Sequence, residues 1–138
     1  MLIENEKEIK DSVSKVLDLT GIPSNRLGYK YIVHAVSLIH MEGKNKKIQI
    51  MKVYDQLSNE FDKTAYSVEK AIRKSIDACV IDGNIPELNK IFSKIILDET
   101  VEITNKKFIS LLVEELVLTL LDLTKFRINN KMKGMKKL

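Results

Sequence analysis

Apolar side chains along this chain recur at three- and four-residue intervals, the spacing of amphipathic helices. The first stripe, Ile9, Val13, Val16 and Leu17, predicts a helix from about Glu4 to Leu19, closed by Gly21 with Pro23 just beyond. A second helix is expected from about Arg26 to Met41, carrying Leu27, Tyr31, Val33, Ala35, Leu38 and Ile39. Glu42-Gly43 ends it, and Lys44-Asn45-Lys46-Lys47 reads as a polar turn. Ile50, Val53, Tyr54, Leu57 and Phe61 define a third helix over about Ile48 to Phe61. After Asp62-Lys63, Thr64 is placed to cap a fourth helix that ends near Asp82-Gly83-Asn84. A short fifth helix follows from about Pro86 to Phe92, with the proline in its first turn. An irregular link runs through Ile95, Ile96, Leu97 and Val101, and a last helix runs from about Thr104 to near Phe126.

The fourth helix separates into two faces when laid out at about 100° per residue. Ala65, Val68, Ala71, Ile72, Ser75, Ile76 and Cys79 form a small and branched stripe expected to pack on helix three. Opposite it, Tyr66, Lys70, Arg73 and Asp77 share a narrow sector flanked by Ser67, Glu69 and Lys74. Side chains of these types can read a major groove, because Lys and Arg donate to guanine or phosphate and Glu accepts from cytosine. The preceding helix and tight turn complete a helix-turn-helix pattern. The same face also fits an ordinary solvated helix surface, and periodicity does not separate the two.

The last helix differs in kind. Phe108, Ile109, Leu111, Leu112, Val113, Leu116, Val117, Leu118, Leu120, Leu121 and Leu123 cover nearly its whole circumference, so it must be covered on more than one side. Either the N-terminal helix or a second copy of the chain would do this, and a homodimer is the favoured expectation.

Composition narrows the class. A length of 138 residues with 44% hydrophobic content suits one domain and one core, and the 30% charged fraction suits a soluble chain. The organisation expected is a single helical domain over residues 1–124 with a basic tail over residues 125–138. The longest apolar run, Leu116 to Leu121 with Thr119 counted in, is far below the ~20 residues that span a bilayer, and the acidic start is unlike a signal peptide. No membrane partner is therefore expected. Cys79 is the single cysteine, so no internal disulfide can form and a cytoplasmic location is expected.

The net charge of +4 is misleading as a signature of nucleic-acid binding. The tail holds six basic residues (Lys125, Arg127, Lys131, Lys133, Lys136 and Lys137) and no acid, so removing those six charges leaves the body at −2. The tail could grip phosphates without sequence preference or serve as a disordered, solubilising end. His34 and His40 point in different directions on one helix and cannot share a metal, and Cys79 reads as a small buried hydrophobe. Phosphate loops, paired-cysteine metal motifs and nucleophile elbows are absent. No enzyme, cofactor or small-molecule substrate is expected.

Several segments together resemble one family. Gly28-Tyr29-Lys30-Tyr31, Ala35-Val36, Lys52-Val53-Tyr54, Thr64 to Arg73, Gly83-Asn84-Ile85, Phe92 and Thr104 to Ile109 are similar to the DNA-binding effector domains of the stage 0 sporulation protein A response regulators. Val68-Glu69-Lys70-Ala71-Ile72-Arg73 followed by Gly-Asn-Ile is the most specific part. The likeness runs without gaps from about Ile22 to Leu116.

The resemblance implies an all-α, six-helix, winged-helix-like effector domain and binding to double-stranded DNA at short asymmetric sites, often in tandem, by a sequence-specific transcriptional regulator. It places Ser67, Glu69, Lys70, Arg73 and Lys74 against the DNA, and Tyr66 joins them from the face analysis. The turn Lys44–Lys47 and helix three would help hold phosphates. Two departures stand out. Ser67 replaces an arginine, losing a bidentate guanine contact worth roughly 1–3 kcal/mol, and the link before the last helix carries Asp98, Glu99 and Glu102 where the family is basic. The residues before Ile22 leave room for at most one helix and none for a phosphoacceptor receiver domain. The rival expectation is a regulatory interaction protein that keeps the fold, loses DNA reading, and pairs through its Leu-rich last helix.

Overall fold

A computed structural model describes residues 5–43, 47–81 and 103–115. These residues form helices α1 (Glu6–Leu19), α2 (Leu27–Glu42), α3 (Ile50–Phe61) and α4 (Ala65–Ile81), with α5 over 105–115. Among the described residues there is no strand, so the architecture is all-α. Residues 44–46 of the expected polar turn, the short helix expected over Pro86–Phe92, the acidic link, residues 116–126 of the last helix and the basic tail lie outside the described residues. No described helix is long and apolar enough to cross a membrane.

Local chemistry explains where the helices start and stop. Asn5 caps α1 by accepting from the Glu8 N–H at 2.8 Å, and Glu6 pairs with Lys10 one turn on (2.8 Å). The helix ends at Thr20, which is fully buried, and Gly21 then takes a left-handed φ of 85°. α3 ends on Asp62, whose φ of 52° lies in the left-handed region that asparagine, aspartate and glycine tolerate best. That turn brings the Lys63 N–H onto the Ser58 carbonyl (3.1 Å) and aims the chain into α4. Thr64 caps α4 through its Oγ1, which accepts from the Ser67 N–H at 3.0 Å. Thr104 repeats the device for α5, accepting from the Lys107 N–H at 3.1 Å. The threonine cap expected for helix four is thus present, and the bounds of α1 to α4 and the start of α5 agree with the periodicity to within two residues.

α2 is the axis of the bundle. It packs on α1, α3 and α4, so Tyr31, Ile32, Ala35 and Val36 are all buried, with Ile32, Ala35 and Val36 at zero exposure. Its core pattern departs from expectation: Leu27, read as a core position, is 56% exposed, while Ile32 and Val36 are central. A helix covered on three sides buries residues all round, so a single stripe describes it poorly. Of the inner stripe of α4, Val68, Ile72, Ser75, Ile76 and Cys79 are buried as expected and Ala65 and Ala71 are half-buried, and the stripe packs against α2 as well as α3. The two helices approach so closely at Gly28 that a Cβ there would lie under 3.0 Å from the Ala71 carbonyl oxygen and the Ser75 side chain. Glycine is required here by space. Phe108, Ile109, Leu111 and Leu112 of α5 complete the core, as their all-round apolar pattern anticipates.

Candidate nucleic-acid interface

With Val68, Ile72 and Ile76 anchored inward at zero exposure, helical geometry turns Tyr66, Ser67, Lys70 and Lys74 outward. All four are exposed, as is Glu69, and Tyr66 is 67% exposed, which is unusual for a large aromatic ring. Lys70 leans over that ring, its Nζ 5.3 Å from the centroid, so the two side chains support one another in a cation–π pair. The Ser67 hydroxyl lies 2.9 Å from Thr64 Oγ1 and belongs to the capping arrangement at the helix start. Five of the six side chains selected for this face are therefore presented together on one surface.

Arg73 is placed differently. Its side chain is only 26% exposed and turns along the helix rather than away from it. Nε and Nη2 both donate to Asp77 Oδ1, at 3.0 and 2.5 Å, and Nη1 donates to the carbonyl of Ile103, in front of α5. All three guanidinium nitrogens thus hold protein oxygens. The sequence sector that grouped Arg73 with Lys70 is correct in angle, but it could not show that the Ile103 carbonyl, ahead of α5, captures one arm of the fork.

Asn105 is the residue that sequence reasoning missed. It is 7% exposed, and its Nδ2 donates to the Tyr54 hydroxyl and to the Glu69 carbonyl, both at 3.1 Å. One amide group therefore joins α3, α4 and α5. The i,i+4 spacing of Arg73 and Asp77 could have revealed their pairing in advance, whereas the Asn105 contacts span 36 and 51 residues and leave no local trace.

The remaining polar features lie elsewhere. His34, on α2, packs edge-on against Phe61 (4.8 Å between ring centres) with Nδ1 3.4 Å from Glu60. Burial holds its pKa below the ordinary histidine value, aided by Lys10 and Lys30 and opposed by Glu60 and Glu6. The Cys79 thiol is buried and donates to the Thr20 carbonyl (3.2 Å). Among the described residues no three of His, Cys, Asp and Glu gather as metal ligands. A groove between the end of α2 and the start of α3 is lined by Lys47, Lys52, Glu42 and Asp55, with no residue from α4.

The exposed face of α4 therefore presents a tyrosine, a serine, a glutamate and two lysines, braced from behind by α2 and α3. Comparison with protein families gives a match over residues 13–116 to the family described as sporulation initiation factor Spo0A C terminal. The chain belongs to that family. The Spo0A C-terminal match takes in α2 to α5 entirely and reaches back into α1, nine residues earlier than the likeness read from the sequence. Spo0A C-terminal domains are the DNA-binding effector domains of a sporulation regulator and form no enzyme family, so DNA binding and transcription regulation are the broad setting of this face.

Proposed function

We propose that this chain binds double-stranded DNA sequence-specifically, as a transcriptional regulator. In this reading α3, the turn at residues 62–64 and α4 act as a helix-turn-helix, with α4 entering the major groove. The observation that carries it is the outward arc of α4, where Tyr66, Ser67, Glu69, Lys70 and Lys74 stand exposed together on a helix whose other side buries Val68, Ile72, Ser75, Ile76 and Cys79. Lys70 and Lys74 supply donors for guanine edges or phosphates, Glu69 supplies an acceptor for cytosine, and Tyr66 supplies apolar contact. Arg73 acts from the rim: with three nitrogens committed inward, it retains two of five N–H groups for DNA. Two copies binding tandem half-sites would suit such short recognition surfaces.

The test is selection from a pool of random-sequence duplexes, followed by titration of the selected duplex and a scrambled counterpart. The expected result is an enriched motif bound at least ~1,000-fold more tightly than the scrambled duplex, the lower end of the range for specific binders. Lys70→Ala should cost about 1–3 kcal/mol on the selected duplex. Absence of any enriched motif would reject DNA reading and favour the rival, a regulatory interaction protein. The inward commitment of Arg73 and the engagement of Ser67 in the cap are the observations on that rival's side.

A further inference from the structure

The first turn of α5 is fixed along one edge of the α4 face. Asn105 reaches the Glu69 carbonyl (3.1 Å), and the Ile103 carbonyl accepts from Arg73, so residues 103–105 lie beside the Glu69–Arg73 turn of α4. The opposite edge of α4 is closed by α2, at the contact of Gly28 with Ala71 and Ser75. Immediately after Asn105 come Lys106 and Lys107, both exposed and neither in an ion pair with any described residue.

The dimensions of the duplex give this placement its meaning. A helix with its side chains is about 10–12 Å across, and the major groove is about 12 Å wide. A helix seated there fills the groove. An element hydrogen-bonded to the flank of that helix must then lie over the groove wall, where the sugar–phosphate strand runs. Its charge should suit phosphate, and the two consecutive residues at that point are lysines.

We propose that Lys106 and Lys107 grip the DNA backbone beside the groove that α4 reads. The inference rests on the reading of α4 as the recognition helix. The grip is rigidly joined to α4, because Asn105 and the Ile103 carbonyl bind that helix directly. It therefore sets the register of α4 on the duplex while carrying no sequence information.

The experiment compares wild type, K106A/K107A, K70A and the control K7A/K15A, which removes two exposed charges from α1. Each is titrated with the selected and the scrambled duplex from 50 to 200 mM salt, after far-ultraviolet circular dichroism shows unchanged helix content. Each phosphate contact contributes about 0.9 to the slope of log affinity against log salt. Losing two should lower the slope by about 1.8 and shrink the wild-type advantage about tenfold across that range. Both duplexes should be affected alike, and K7A/K15A should keep the wild-type slope. The proposal is overturned if K106A/K107A keeps the wild-type slope while K70A weakens binding, if its loss is confined to the selected duplex, or if K7A/K15A lowers the slope equally. A wild-type protein that selects no duplex instead removes the reading of α4 and this inference with it.

Discussion

Replacing Asn105 by alanine tests whether one amide group holds α4 to its neighbours. Asn105 is 7% exposed and donates two hydrogen bonds of 3.1 Å, to the Tyr54 hydroxyl and the Glu69 carbonyl. Each is worth about 0.5–1.5 kcal/mol net, which puts the gross loss at about 1–3 kcal/mol. Two effects reduce it. The Glu69 carbonyl is inside α4 and keeps its helical partner, so it is not orphaned. Asn105 Oδ1 is buried and accepts no hydrogen bond from the described residues, so the native protein already bears a desolvation cost that alanine removes. The expected destabilisation is therefore about 1–2 kcal/mol. Asn105→Asp should be worse, because a carboxylate oxygen would face the Glu69 carbonyl where a donor stood; about 3 kcal/mol or more is expected for an unpaired buried charge. Urea denaturation would show a lowered midpoint with unchanged slope for alanine and a further drop for aspartate. Alanine within 0.5 kcal/mol of wild type, or aspartate no worse than alanine, would refute the amide as a tie between the three helices.

Three further outcomes follow from the packing. Gly28→Ala should cost about 1–3 kcal/mol or prevent folding, since its methyl group collides with backbone as well as a side chain across the α2–α4 contact; a denaturation midpoint equal to wild type would contradict the closeness of that crossing. Thr64→Ala removes the α4 cap and should destabilise by about 1 kcal/mol, whereas Thr64→Ser should restore most of it, and equal effects of the two would discount the cap. For His34, burial lowers the pKa in the folded state, so the unfolded chain takes up the proton first as the medium is acidified. Stability contributed by the neutral imidazole is complete above its unfolded value of about 6.5 and declines as pH falls below it. Urea midpoints at pH 7.5 and 5.5 should differ more for wild type than for His34→Gln, and an identical pH response in the two proteins would refute the assignment.

Much of this domain is legible from short stretches of chain. Helix ends depend on caps and turns that act within three or four residues, so Asn5, Gly21, Thr64 and Thr104 act where local chemistry places them. The two faces of α4 follow from helical periodicity, which is why the buried Val68–Cys79 stripe and the exposed Tyr66, Lys70 and Lys74 were separable in advance. Family membership was likewise readable in Val68 to Arg73 together with the segments around it. Tertiary structure decided the rest, because the relevant partners lie far apart along the chain. α2 became the central helix, burying Ile32 and Val36 and exposing Leu27, through contacts with three other helices. Arg73 turned from the open face when the Ile103 carbonyl, 30 residues away, came within reach of its guanidinium. Asn105 acquired its role only when folding set Tyr54 and Glu69 on either side of one amide. A pattern of hydrophobic and polar residues says which side of a helix is dry; which neighbour dries it, and which polar atoms that neighbour brings, follows from three-dimensional packing.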